Sequence, residues 1–333
     1  MSRARLHLAG WAAGLVLLLA SAEAPSQTLD PAFTANYTLT NLGSAAGVPT
    51  NYGGVFMLPG QPNTLYLGGA ANGAAGAVYA VPLTRDGSGF ITGFAGPGVR
   101  VADAPDIDGG IMRDPGGLIS YGQWPANNYA QIDLSTGLVV TTIPLGPFGV
   151  ASASATAAFI PAGYPGAGGM RIASWSGGQF YDVTYAVGAG GIISISAATE
   201  IVASQLPGGP EGWAYVPLGS PQFTVPSMIV SEYSAGSVAI YDMDANGNPV
   251  IASRRLFVSG LTGAEGAAID PVSGSFIFST FGGSNQVIVV RGFAAVNPPP
   301  TTAAQAIPAS SSGALVLLAV ILATLAFGAL RRR

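Results

Sequence analysis

The sequence predicts an all-β chain: a β-propeller of five four-stranded blades closed by an N-terminal strand, followed by a C-terminal transmembrane helix. Three observations carry that expectation. A unit of small residues, a short apolar run and a proline recurs five times. Each copy is followed by further short runs rich in β-branched and aromatic residues, bounded by Gly, Pro, Asn or Asp. The fifth copy is one strand short, while a spare strand stands at the start of the body. A β-sandwich or β-solenoid is the competing arrangement, and six blades remain open if two units have been merged.

The repeat reads Gly53-Gly54-Val55-Phe56-Met57-Leu58-Pro59, then Gly109-Gly110-Ile111-Met112-Arg113-Asp114-Pro115, then Ala155-Thr156-Ala157-Ala158-Phe159-Ile160-Pro161. It returns as Glu211-Gly212-Trp213-Ala214-Tyr215-Val216-Pro217 and Glu265-Gly266-Ala267-Ala268-Ile269-Asp270-Pro271. The prolines are 56, 46, 56 and 54 residues apart. Second strands are expected at 64–67, 118–121, 170–175, 228–233 and 276–281, and third strands at 77–81, 129–134, 179–185, 237–241 and 286–290. Fourth strands follow four copies, at 90–94, 138–143, 192–201 and 250–258. The fifth is supplied by residues 36–40, which closes the ring and leaves only short edges. Small residues at the inner-strand starts suit five strands converging on one axis. Phe56, Leu67, Tyr79, Phe159, Ile172, Tyr215, Val230, Ile277 and Ile288 are the expected blade core, alternating with outward small residues.

The two ends of the chain read as addresses. Residues 1–24 combine Arg3 and Arg5, an apolar run over 8–20 and the small-residue pattern Ala20-Ser21-Ala22, as in a secretory signal peptide. An uncleaved N-terminal anchor is the alternative. The propeller is expected over 29–295 and a Pro/Ser/Thr-rich spacer over 296–312. Residues 313–330 carry no charge, enough for a short membrane helix at about 1.5 Å per residue. Arg331, Arg332 and Arg333 follow and would stay on the cytoplasmic side, leaving the body outside.

This tail of motif, apolar helix and Arg cluster resembles the bacterial C-terminal sorting signals of the PEP-CTERM type, and its IPTL-CTERM variant above all. That motif runs roughly Ile-Pro-Thr-Leu-Ser-Glu-Trp-Gly; Ile307, Pro308 and Ser311 match it, and its Thr-Leu, Glu and Trp positions differ. The resemblance implies trimming by signal peptidase, handling by a membrane sorting or processing enzyme, and display on or release from a Gram-negative surface. A plain membrane anchor is the alternative. The phrases Pro210-Glu211-Gly212-Trp213-Ala214 and Ala264-Glu265-Gly266-Ala267-Ala268 resemble inner-strand starts of lactonase-like and NHL-like propellers.

Composition excludes much chemistry. Only 8% of residues are charged, Lys is absent, and there is no Cys. The one His, His7, falls in the leader, so residues 23–306 hold sixteen acids against seven Arg, a net charge of −9. No nucleic-acid partner fits that balance. A body without His, Lys or Cys has no Ser-His-Asp triad, no Schiff-base or phosphate-binding lysine and no thiolate chemistry.

Carboxylates remain. Glu211 and Glu265 stand six residues before their repeat prolines, and Asp108 one step earlier in its copy, with Asp103 and Asp106 nearby. In a propeller these positions lie near one mouth of the axis. They can hold Ca²⁺ through oxygen ligands, act as an acid–base pair, or bond backbone N–H groups of the next blade. The resemblance to lactonase-like propellers implies a metal at this mouth. Asp242, Asp244 and Asn246 match the first half of a calcium loop, but position twelve is Ser253 and the flanks are strands; a plain turn is the alternative. Trp124, Trp175, Trp213, Tyr121, Tyr164 and Tyr233 are candidates for a sugar-stacking face or for blade packing. The expected function is a non-enzymatic, surface-sorted binding or scaffolding module for extracellular material such as polysaccharide, with no cofactor or with Ca²⁺. The alternative is a Ca²⁺-assisted lactonase-like or glycosidase-like hydrolase at the mouth.

Overall fold

The computed structural model describes residues 27–296, apart from Ala153 and Ser284. The predicted signal peptide, the spacer from residue 297 onward, the sorting motif and the apolar segment with its Arg tail lie outside the described residues. Among the described residues there is no α-helix, only four short 3₁₀ turns, and no helix long and apolar enough to cross a membrane.

Two strands precede the first blade, β1 (Thr28–Leu29) and β2 (Thr38–Gly43). Blade I holds β3 (Val55–Met57), β4 (Thr64–Gly69), β5 (Ala77–Arg85), β6 (Ile91–Phe94) and β7 (Val99–Asp103). Blade II holds β8 (Ile107–Arg113), β9 (Ile119–Gln123), β10 (Asn128–Asp133) and β11 (Leu138–Pro144). Blade III holds β12 (Ser154–Phe159), β13 (Met170–Ser174), β14 (Phe180–Val187) and β15 (Ile193–Glu200). Blade IV holds β16 (Pro210–Tyr215), β17 (Ser227–Glu232), β18 (Ser237–Asp242) and β19 (Arg255–Ser259). Blade V holds β20 (Ala264–Ile269), β21 (Phe276–Thr280) and β22 (Val287–Arg291).

Five antiparallel sheets result, each winding outward from the axis. The strand missing from blade V is β2, with Thr38 opposite Arg291 and Leu39 opposite Val290. Closure therefore runs as the repeat predicts, with the strand beginning two residues later than expected. Two ion pairs staple the seam between blades I and V. Arg85 grips buried Asp270 through both nitrogens, at 2.7 and 2.9 Å, and Arg291 meets Asp86 at 3.2 Å.

Three details differ from the sequence expectation. The fourth position of blade I is shared: β6 pairs with the far end of β5, while β7 takes its near end, with Ala77 opposite Asp103. The nine-residue β5 is long enough for both, and the Ala95-Gly96-Pro97-Gly98 turn between them hides the second run. Blade IV gains β1 outside β19, with Leu29 opposite Val258. The expected alternation of buried and outward residues fails on the inner and middle strands. Strands such as β12, β13, β16 and β17 are buried along their whole length, because each blade is covered on both faces by its neighbours. All nine expected core residues are buried.

The ring is held by backbone touching backbone. A methyl group on Gly212 would stand 2.6 Å from the Ala267 nitrogen of blade V, and one on Gly266 2.6 Å from the Val55 nitrogen of blade I. Between blades III and IV, Thr156 donates its hydroxyl to the Glu211 carbonyl at 2.7 Å; between blades I and II, the Gly54 N–H reaches the Asp108 carbonyl at 2.8 Å.

Replacing Gly266 by Ala forces rigid backbone apart, so Gly266→Ala should cost about 1–3 kcal/mol and lower the melting temperature by several degrees. Gly87→Ala, on a turn with open space around it, should leave the melt unchanged. Equal melts for the two variants would show that the axis is not crowded.

Candidate axial carboxylate site

Each carboxylate of the candidate site owes its direction to a break in the strand ladder. The β8–β9 register shifts between Ile107 and Ile111, β16–β17 between Pro210 and Trp213, and β20–β21 between Ala264 and Ala267. Asp108, Glu211 and Glu265 lie inside these bulges. A bulge re-aims the side chain it carries, and these three turn toward the axis. Carboxylate oxygens from blades II, IV and V lie within 4.8 Å of one another. The equivalent positions of blades I and III, Gly53 and Ala155, carry no functional group. Gly109 matters locally, because a methyl there would stand 2.7 Å from a Glu211 carboxylate oxygen.

The three side chains are 1–4% exposed. With all three ionised, four of their oxygens, Asp108 Oδ2, Glu211 Oε2 and both of Glu265, face no hydrogen-bond donor. The other buried acids behave differently. Asp114 accepts from Leu118, Ser120 and Gln131. Glu232 accepts from Ser237, Tyr241 and both reaching nitrogens of Arg254. Asp270 is gripped by Arg85. A buried carboxylate oxygen is costly without such partners, and among the described buried acids only the axial three leave oxygens without one.

No positive charge offsets them. Six of the seven body Arg pair with acids elsewhere: Arg85, Arg100, Arg171, Arg254, Arg255 and Arg291. Arg113 points to the carbonyl of Gly117 instead. The neutral contact at the site is Asn72, whose carboxamide nitrogen faces Asp108 Oδ1 at 3.0 Å and the Ile107 carbonyl at 3.1 Å. Burial pushes Asp108 up to about 7, moderated by bonds from Glu265 and Asn72. Burial and then mutual repulsion push Glu211 and Glu265 well above the usual carboxylate range. Three acids this close cannot all ionise unless something positive joins them. The donor set is oxygen only, which fits a hard divalent cation such as Ca²⁺, and the unpartnered oxygens are what such an ion would occupy.

The remaining sequence candidates fall elsewhere. Asp242 accepts from Ser227 and Arg255, at 3.2 and 3.1 Å. Asp244 accepts the N–H groups of Asn246 and Asn248, and Asn246 gives its carbonyl to Arg171. Asp244 thus heads an Asx turn, while Asp242 and the Asn246 carbonyl accept from Arg255 and Arg171. Asp86 and Asp133 build the same turn in blades I and II. Asp103 pairs with Arg100 at the surface. Among the aromatic candidates, Trp213 packs on Phe180, Tyr121 is fully buried, and the Tyr164 hydroxyl bonds the Val216 carbonyl. Trp124, Trp175 and Tyr233 instead stand part-exposed at the ends of second strands, on the axial-acid face. Sequence reasoning missed Phe281 in the same position of blade V; the signal was its place at the end of an expected second strand.

No protein-family model matches the chain, and no curated protein matches it in sequence. Among solved structures it is similar to the PQQ domain of pyranose dehydrogenase from Coprinopsis cinerea, at 10% identity and a TM-score of 0.45, over 80% of this chain and 97% of that one. It is also similar to glutaminyl cyclase from Myxococcus xanthus, at 11% identity and 0.46, over 78% and 97%. A gluconolactonase from Xanthomonas campestris stands at 13% and 0.43, over 80% and 84%. Likeness this low leaves the chemistry to this chain's own residues.

With cation chelated away, the folded triad binds more protons than the unfolded chain. Its contribution to stability is then full below about pH 4 and is lost as pH rises through the raised folded values, that of Asp108 being about 7. Thermal melts in EDTA from about pH 4.5 to 7.5 should fall through this window, and Glu265→Gln should flatten the fall. A slope unchanged by that substitution would mean that the triad ionises freely.

Proposed function

We propose that the chain is an exported, surface-sorted β-propeller acting as a non-enzymatic binding or scaffolding module, with a divalent cation held on its axis by Asp108, Glu211 and Glu265. One observation carries the axial part: four carboxylate oxygens are buried together without partner or counter-charge, in a fold that satisfies its other buried acids. A cation would turn repulsion between blades II, IV and V into a common attraction, so its role is to pin the ring.

The burial that favours a pin disfavours a hydrolase. A catalytic carboxylate has to touch its substrate, and side chains 1–4% exposed present little surface to one. The body also offers no His, Lys or Cys to share the work. Export rests on the leader with Arg3 and Arg5, the uncharged run 313–330 and the terminal Arg331, Arg332 and Arg333. Signal peptidase and a membrane sorting enzyme acting near Ile307, Pro308 and Ser311 are the partners this implies.

The full-length chain, melted in EDTA and then in millimolar Ca²⁺, tests the pin. A ligand at a hundred times its dissociation constant adds about 2.7 kcal/mol, so the melt should rise by several degrees, and Glu265→Gln should abolish the rise. A melt that ignores Ca²⁺, Mg²⁺ and Mn²⁺ alike would remove the cation from this reading. For export, a Gram-negative host should yield a chain shortened at its N-terminus and open to protease added outside the cell. A full-length chain confined to the cytoplasm would refute it.

A further inference from the structure

We propose that the face around the axial acids binds neutral saccharide chains through an arc of aromatic rings: Trp124, Trp175, Tyr233 and Phe281. The proposal rests on reading the propeller as a binding module, and gives that module its ligand class.

The four rings occupy one structural position. Each is the residue directly after the second strand of its blade, following β9, β13, β17 and β21 in blades II to V. Blade I has Ala70 there, which leaves the arc open on one side. The same local device fixes three of them. The N–H of Trp124 bonds the Asp106 carbonyl at 2.9 Å, that of Tyr233 the Gly209 carbonyl at 2.8 Å, and that of Phe281 the Gly263 carbonyl at 2.8 Å. Each acceptor residue is left-handed, with φ of 59°, 71° and 63°, and stands two residues before Asp108, Glu211 and Glu265 respectively. One turn thus sets both a ring at the rim and an acid at the axis.

The rings also touch around the rim. Trp175 meets Tyr233 edge-on at 6.3 Å, and Tyr233 meets Phe281 at 6.1 Å. Trp175 and Tyr233 each lean over the glycine that opens the next blade: a methyl on Gly209 would lie 3.0 Å from Trp175 Nε1, and one on Gly263 2.9 Å from the Tyr233 ring. The rings are not surplus core. The same chain buries Tyr121, Tyr129 and Phe257 completely, yet leaves all four arc residues part-exposed.

What lies beside the rings selects the ligand. The adjoining turns, 71–76, 125–127, 175–178, 233–236 and 281–285, contain no charged residue. Among the residues that hold the rings by their N–H groups the one charged residue, Asp106 beside Trp124, is an acid, and three axial carboxylates around a divalent cation leave a net negative charge beneath, which disfavours uronates, phosphates and nucleic acid. Trp175 Nε1 is a buried donor without a partner. Part-exposed rings flanked by neutral amides and hydroxyls suit a pyranose, which offers an apolar C–H face and a hydroxyl rim. Several rings on one rim suit successive sugars of a polymer better than a free monosaccharide.

The test uses the full-length chain in Ca²⁺, assayed by depletion on cellulose, chitin, xylan, mannan and α-glucan. The matching soluble oligosaccharides are titrated by tryptophan fluorescence. At least one neutral glycan should bind and shift the emission. Trp175→Ala and Tyr233→Ala should each weaken it about tenfold or more. Trp175→Phe, which keeps a ring over Gly209, should retain most of the affinity and guards against misfolding as the cause. Binding that ignores all three substitutions would overturn the arc while leaving a binding module in place. A folded chain that binds no neutral glycan, or binds only anionic ones, would overturn the ligand class, whereas loss of the axial pin is read separately from the Ca²⁺ melt.

Discussion

Five inner strands have to share one axis, and this chain meets that demand with backbone contact. Gly54, Gly110, Gly212 and Gly266 let neighbouring strands approach closer than any side chain allows, and Thr156 closes the remaining junction through its hydroxyl. Strands packed this tightly have no room for side chains along the axis, so these emerge only where the ladder breaks. The bulges at the starts of β8, β16 and β20 are those breaks. Crowding therefore does two things together: it makes the ring rigid, and it gathers three acids at the one point where side chains can converge.

Much of this was legible in the sequence, because a propeller repeats one physical problem five times. Each repeat proline falls two residues after the end of its inner strand, so its spacing locates β3, β8, β12, β16 and β20. The shortfall of blade V and the spare strand near Tyr37 locate the closure. The matching register of Glu211 and Glu265 places both at one mouth. The bulges were not legible: nothing in Ile107-Asp108-Gly109-Gly110 distinguishes an in-register strand from a broken one, and yet the break is what brings Asp108 into line with the glutamates. The half calcium loop at Asp242 is ambiguous in sequence for the opposite reason. Short Asp-x-Asp-x-Asn runs serve tight turns as well as ions, and only the positions of Arg171 and Arg255 separate the two uses. The left-handed Asp106 is likewise invisible in a sequence, although the matching glycines Gly209 and Gly263 hint at it.

The scarcity of charge is consistent with how charge is spent. With 8% charged residues, few are left for a general solvent coat, and most guanidinium groups act as clamps. Arg85 and Arg291 join blade I to blade V, and Arg171 reaches from blade III to Asn246 and Asn248 of blade IV. Within blade IV, Arg254 neutralises buried Glu232. A chain that assigns a guanidinium to Glu232 and Asp270, and a cluster of amide and hydroxyl donors to Asp114, has the means to neutralise an axial acid. To Asp108, Glu211 and Glu265 it assigns no guanidinium and a single carboxamide, that of Asn72 on Asp108. That selective omission is a stronger argument for an ion than the acids alone, because acids at a surface are common and cheap.

A ring exported as proposed also needs resistance to opening. Secreted proteins usually gain it from disulfides, which restrict the unfolded chain, and this chain has no Cys. The closure by β2 ties the first strands to the last blade, and the seam with blade I is held by apolar packing, a few hydrogen bonds and two ion pairs, with no covalent link. The axial cation proposed for blades II, IV and V would supply a cross-link of a different kind. It would draw together parts of the chain that lie about a hundred and fifty residues apart, from Asp108 to Glu265, and would stabilise the folded state rather than restrict the unfolded one. The same turns that carry these acids carry the rim aromatics. Fixing the acids therefore fixes the spacing of Trp124, Tyr233 and Phe281 as well, and a rigid rim loses little entropy when it takes up a ligand.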